Sequence, residues 1–80
     1  MKYIIVQDGY NENIVLFSSM LKHRDIAKQL TDNDLSRVVS AGQILVDDDN
    51  SLVCTGESLT LNLKSRGKQD NIILRASLNT

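Results

Sequence analysis

The chain has no proline, no tryptophan and a single cysteine, Cys54, in 80 residues. With one thiol no internal disulfide can staple the fold, and a lone unpaired cysteine suits a reducing compartment. Without proline there is no obvious linker, and no repeat or low-complexity segment divides the chain. One domain spanning residues 1–80 is expected. Aromatic rings are scarce too: Tyr3, Tyr10 and Phe17 are the full set, so Leu, Ile and Val must fill the interior. A domain of this length buries only about 60–65% of the surface its unfolded chain exposes. Small domains in that position often gain buried area by self-association, so a homo-oligomer is expected. No stretch approaches the ~18 apolar residues of a membrane span. The run Tyr3-Ile4-Ile5-Val6 ends at Gln7-Asp8-Gly9 with no small-residue cleavage site, which reads as a strand rather than a signal peptide. The expected location is cytoplasmic, with no membrane partner.

Net charge is also small, −1 at pH 7, which argues against a general nucleic-acid binder. The charges are nevertheless segregated. Asp32, Asp34, Asp47, Asp48, Asp49 and Glu57 face only Arg37 in the middle of the chain, whereas Lys64, Arg66, Lys68 and Arg75 face only Asp70 near its end. Solvated loops account for both clusters; complementary faces would instead suit head-to-tail assembly or an anionic partner.

What is present in quantity is β-branched and aliphatic residues. Residues 2–6 and Ile14–Phe17 flank the turn formers Gln7 to Asn13, which predicts a β-hairpin. Both runs are continuously apolar rather than alternating, so both sheet faces should be covered, one by a helix and the other by a partner subunit. Ser18 or Ser19 can cap a helix beginning near Met20. At ~100° per residue Met20, Ile26, Ala27 and Leu30 share one arc, opposite Lys22, Asp25 and Gln29. Thr31-Asp32-Asn33-Asp34 ends that helix. Arg37 to Val46 reads as a strand bent or bulged at Gly42. Asp47 to Ser51 is a turn, and Leu52-Val53-Cys54 a return strand. Ser58 to Lys64 alternates cleanly, Leu59, Leu61 and Leu63 on one face and Ser58, Thr60, Asn62 and Lys64 on the other, as a strand does. For residues 67–78, periodicity fits a helix capped by Ser65 or Asp70, or a strand, equally well. The expected class is α+β, with an antiparallel sheet built from a hairpin, a helix, a three-strand meander and a terminal helix. Its core should hold Ile4, Val6, Val15, Phe17, Ile26, Leu30, Val39, Ile44, Val53, Leu61 and Ile72.

The residues that carry chemistry do not assemble into a recognisable set. His23, the only histidine, projects onto the apolar arc of the first helix, where a buried base or pH switch is conceivable and a satisfied half-buried ring is the plainer reading. Cys54 pairs with it at no zinc spacing and with no orienting third group, and reads as a small buried hydrophobe. A calcium loop starting at Asp47 would need Gly and Glu where Leu52 and Ser58 stand. Nucleophile-elbow, phosphate-loop and dinucleotide fingerprints are missing. What remains is the row Ser58, Thr60, Asn62 and Lys64, followed by Ser65 and Arg66: hydroxyls, an amide and two cations suited to phosphate or carboxylate. On a strand, Lys64 and Arg66 would point the same way, about 6–7 Å apart, and both reach one anion. Ser58, Thr60, Lys64, Ser65 and Arg66 are the candidate binding residues. No cofactor, metal ligand or catalytic residue is expected.

Val39-Ser40-Ala41-Gly42, followed by Gly56-Glu57-Ser58-Leu59-Thr60-Leu61-Asn62-Leu63-Lys64-Ser65-Arg66, resembles a pattern in small reading frames of tailed bacteriophages and prophages. The resemblance covers the C-terminal half. In those sequences a proline and acidic residues follow the Ser-Arg pair and open a final helix; here Gly67-Lys68-Gln69-Asp70 stands instead, and a helix remains the favoured reading of the end of the chain. The resemblance implies no activity. It implies a phage accessory protein, acting in the host cytoplasm, of a class that blocks a host factor or sequesters a signalling molecule. The functional expectation is a non-enzymatic module that binds a host protein; the alternatives are a small-anion or nucleotide sequestering protein and a structural homo-oligomer.

Overall fold

In a computed structural model, which describes residues 1–79, the apolar run at the start of the chain forms β1 (Lys2–Asp8). It pairs antiparallel with β2 (Asn11–Phe17), from Lys2 opposite Phe17 to Asp8 opposite Asn11. Two residues, Gly9 and Tyr10, make the turn. Gly9 has φ +62°, the left-handed value that a type II′ hairpin turn needs at its first central position. The hairpin is therefore longer and tighter than hydrophobicity indicates, because Gln7, Asp8, Asn11, Glu12 and Asn13 join the ladder.

The chain then crosses one sheet face through α1 (His23–Leu30) and a short 3-10 turn, Leu35–Arg37, and returns as β3 (Val38–Val46) on the other side of β1. β4 (Leu52–Thr55) follows, giving an antiparallel sheet in the order β2-β1-β3-β4. β5 (Glu57–Ser58) and β6 (Leu63–Lys64) pair only with each other, and α2 (Lys68–Leu78) ends the described chain. The α+β class and the terminal helix agree with the expectation; the three-strand meander does not. Its third strand is the separate β5–β6 hairpin, because Ser58 Oγ accepts the Leu61 N–H at 3.2 Å and Asn62 turns back with φ +55°. Short polar side chains that compete for backbone bonds defeat the alternating pattern.

Both faces of the sheet are covered by this chain itself. Tyr3, Ile5, Ile44 and Cys54 lie on one face against Leu74 and Ile73 of α2. Ile4, Val6, Val38 and Ala41 lie on the other against Ala27 and Ile26 of α1 and Leu61 and Leu63 of the small hairpin. This explains the continuous apolar strands without a partner subunit. Helix α1 starts at His23, three residues later than Met20, and has no side-chain cap; Ser18 Oγ instead accepts the Met20 N–H at 3.2 Å. Met20 is consequently 91% exposed, and Leu30 and Ile72 also face solvent rather than the core. In α2 the buried positions are Asp70 and Leu74, one turn apart, a phase set by the buried acid.

The irregularity in β3 lies at Val39, where the register against β1 shifts between Ile5 and Val6, and not at Gly42. Gly42 pairs regularly with Tyr3. It is needed for close approach: a Cβ there would sit 2.3 Å from the Thr55 carbonyl oxygen and 3.2 Å from both Ser65 Cβ and Tyr3 Cε1. Gly42→Ala should therefore destabilise the domain by about 1–3 kcal/mol, as overpacking of a tight interior does. A urea midpoint matching the wild type would show that this approach is looser than described.

Candidate functional site

The five residues expected to form one binding row are dispersed. Ser58 is buried and holds the β5–β6 turn, with Thr60 Oγ1 3.3 Å from its hydroxyl. Thr60 Oγ1 accepts the Arg24 N–H at 3.3 Å, tying the small hairpin to α1. Lys64 is exposed and stands opposite Glu57. Ser65 and Arg66 lie beyond β6 and turn inward, so Arg66 does not share a strand face with Lys64.

That inward turn builds the main polar feature of the interior. Asp70 is fully buried at the third position of α2. Its Oδ2 accepts the Tyr3 hydroxyl at 2.6 Å and the Arg66 N–H at 3.0 Å, and its Oδ1 accepts Arg66 Nε at 2.7 Å. Because a phenol has one proton and Asp70 can only accept, the 2.6 Å contact between Tyr3 and Ser65 must carry the Ser65 proton to Tyr3 Oη. Ser65 Oγ then accepts the Gly67 N–H at 3.0 Å. Arg66 Nη1 donates to Glu12 Oε2 at 2.8 Å, so β2 and α2 meet at one guanidinium, and β1 joins them through the bond from Tyr3 to Asp70. Burial pushes the Asp70 carboxyl up, but donors from Tyr3, the Arg66 backbone, Ser40 and the Arg66 side chain together hold it below the ordinary range. Ser40 contributes from outside regular hydrogen-bond geometry, since its Oγ has no partner within that limit. Burial likewise works against the Arg66 charge, and bonds to Glu12 and Asp70 outweigh it. Tyr3 is raised by burial and by the Asp70 bond. Cys54 is pushed up to about 11 by burial, with Asp70 adding to it.

His23 is buried on α1, across the sheet from Cys54. Its Nε2 donates to the Gly42 carbonyl at 2.9 Å and its ring stands edge-on to Phe17 at 5.5 Å. Burial lowers its pKa, with Gly42 opposing. Asp47 spends its carboxylate on the Asp49 and Ser51 N–H groups, both at 2.9 Å. It lines a groove together with Lys68 and Arg75 of α2. Among the described residues no three His, Cys, Asp or Glu side chains gather in a metal-holding group.

The feature left open to a partner is the edge of β2. In an antiparallel ladder closed by a two-residue turn, the pair flanking the turn is hydrogen-bonded and bonding alternates from there. Asn11, Asn13, Val15 and Phe17 thus bond to β1, while the N–H and C=O groups of Glu12, Ile14 and Leu16 point away from the sheet. No described residue supplies them a partner. Carrying the same alternation across the sheet sends the Cys54 N–H outward from β4, where Asn71 Oδ1 receives it at 2.6 Å. The β4 edge is held at one N–H by Asn71, and the β2 edge has no such bond. Beside the bare edge, a groove of about 430 Å³ runs between β2 and α2, lined by Ile14, Ile72, Ile73 and Ala76. Ile72 is 68% exposed on its rim. Sequence reasoning missed this site; the signal available was the seven-residue segment at 11–17 without Lys, Arg or Pro.

Two protonation events should shape stability. The unfolded chain protonates His23 near its ordinary value of 6.5, while the fold resists protonation. His23 therefore leaves stability undiminished above about pH 7 and lowers it as pH falls below 6.5. Asp70 stabilises above its unfolded value of 3.8, and that contribution is lost as pH drops through its lower folded value. The urea midpoint should fall between about pH 7.5 and about pH 5, and His23→Gln should flatten that limb. Asp70→Asn, which leaves Arg66 short of a charge partner, should cost about 3–5 kcal/mol at neutral pH. A pH-independent midpoint, or a neutral Asp70→Asn, would contradict these assignments.

Comparison with protein-family models, with curated proteins and with solved structures finds no match for this chain.

Proposed function

We propose that the chain is a non-enzymatic protein-binding module that takes up an extended segment of its partner as an additional strand on β2. The observation that carries this reading is the bare row of backbone groups at Glu12, Ile14 and Leu16 beside the apolar groove against α2. Strand addition draws its affinity from main-chain hydrogen bonds and its selectivity from pockets for alternate side chains. Both parts are here: the row provides the bonds, and Ile14, Ile73 and Ala76 provide an apolar seat for every second side chain of the incoming strand. Glu12, the only charge in β2, is already paired with Arg66, so an uncharged strand meets no unpaired charge. The resemblance of the C-terminal half to small phage reading frames makes a host protein the partner class in this reading.

A randomised heptapeptide library displayed on phage tests it, with the protein immobilised sparsely enough that protomers stand apart. Peptides alternating apolar and polar residues should be enriched. On ¹⁵N-labelled protein they should shift the Glu12, Ile14 and Leu16 amides and slow their exchange with solvent. Leu16→Pro removes one outward N–H without touching the β1 ladder, where proline on a strand edge is tolerated, and should abolish enrichment. Shifts confined to other surfaces, or no enrichment at all, would overturn the reading.

A further inference from the structure

Resting on that reading, we infer that, while no host strand occupies it, the β2 edge receives β2 of a second copy, giving a closed two-fold dimer with one continuous eight-stranded sheet. Natural edge strands are protected by lysine, proline, bulges or brevity. β2 has none of these: it is seven residues long, pairs with β1 at every position without a register shift, and contains no Lys, Arg or Pro. Its one carboxylate is neutralised by Arg66 of the same chain.

The segment is complementary to itself. Pairing it antiparallel with its own copy about Ile14, the middle residue of Asn11–Phe17, overlaps all seven positions and matches outward residues only with outward residues. Ile14 faces Ile14, and Glu12 faces Leu16 of the second copy. All three free N–H groups and all three free C=O groups of each edge are then used. The two Glu12 side chains stand four residues apart, about 13 Å along the strands, farther than the ~8 Å screening length at physiological salt. The two-fold axis of such a pairing is perpendicular to the sheet, so both α2 helices lie on the same side and flank the seam. Ile72 and Ala76, one turn apart on α2, line the groove at that seam, and the second helix covers them. Growth stops at two copies, because the other edge of each sheet is β4. β4 is only four residues long, has Asn71 bonded to its outward Cys54 N–H, and follows the acidic turn Asp47–Asp49. An isologous contact of this kind closes, whereas a heterologous one would propagate.

Sedimentation equilibrium at tens of micromolar, together with site-specific crosslinking, tests the inference. The wild type should sediment at twice the 8.9 kDa protomer mass. Ala76→Glu changes an exposed helix position and brings two carboxylates together across the axis; it should weaken dimerisation at least tenfold while its far-UV circular dichroism stays that of the wild type. In a Cys54→Ser background, Ile14→Cys should form an intermolecular disulfide on mild oxidation, since facing hydrogen-bonded residues lie about 5.5 Å apart between Cα atoms. Asn11→Cys should not, because six residues separate the two copies of that position. A monomer throughout, in a protein that still selects peptides on β2, would overturn the second copy and leave strand addition standing; a monomer that selects none removes both. A dimer indifferent to Ala76→Glu and uncrosslinked at position 14 uses another surface and overturns the inference, as does a mass growing past two copies.

Discussion

The buried carboxylate of Asp70 is the constraint on which the rest of the structure is hung. An ionised acid with no solvent exposure is tolerable only when its oxygens are filled by well-placed donors, and these come from Tyr3 at the start of the chain and Arg66 near its end. Satisfying it sets the phase of α2, which is why Leu74 turns inward and Ile72 outward. It also draws Arg66 across to Glu12 on β2, so one guanidinium fixes the distance between the helix and the strand edge.

Polar demands of this kind explain which elements were legible in the sequence. The hairpin, the first helix and the helix-ending Thr31–Asp34 segment were readable, because local turn chemistry and apolar spacing agree there. Asp32 and Asn33 take left-handed φ values of 53° and 69° where the helix stops. Ser58 to Lys64 alternates perfectly yet contains a four-residue loop, residues 59–62, held by Ser58 Oγ on the Leu61 N–H and turned back at Asn62 with positive φ. The boundary of α1 was misread because Ser18 serves a turn before the helix instead of the helix itself.

The candidate site was illegible for a different reason. A row of donors and cations in the sequence is a statement about side chains, and here most of them are consumed internally, Ser65 and Arg66 by Asp70 and Tyr3 and Ser58 by its own loop, while Lys64 stands exposed by itself. What is left for a partner is main chain, whose availability depends on which strand ends up at which edge. The order β2-β1-β3-β4 places a long apolar strand outermost, and only long-range topology decides that.

The position of β1 has a kinetic consequence. It is the first strand in the chain and an inner strand of the sheet, with β2 close in sequence on one side and β3 on the other. The hairpin can form early from local contacts, but its second edge stays uncovered until β3 arrives, and the Tyr3–Asp70 bond spans 67 positions. Contacts of such separation are late and slow to form. Any hairpin that forms before those contacts has both edges bare, and Ile4, Ile5 and Val6 at its centre lack their covering helices. Crowded conditions would therefore challenge this domain most while it is folding, before α2 has docked, and a chaperone that shields short apolar ribbons would change its yield more than its final stability.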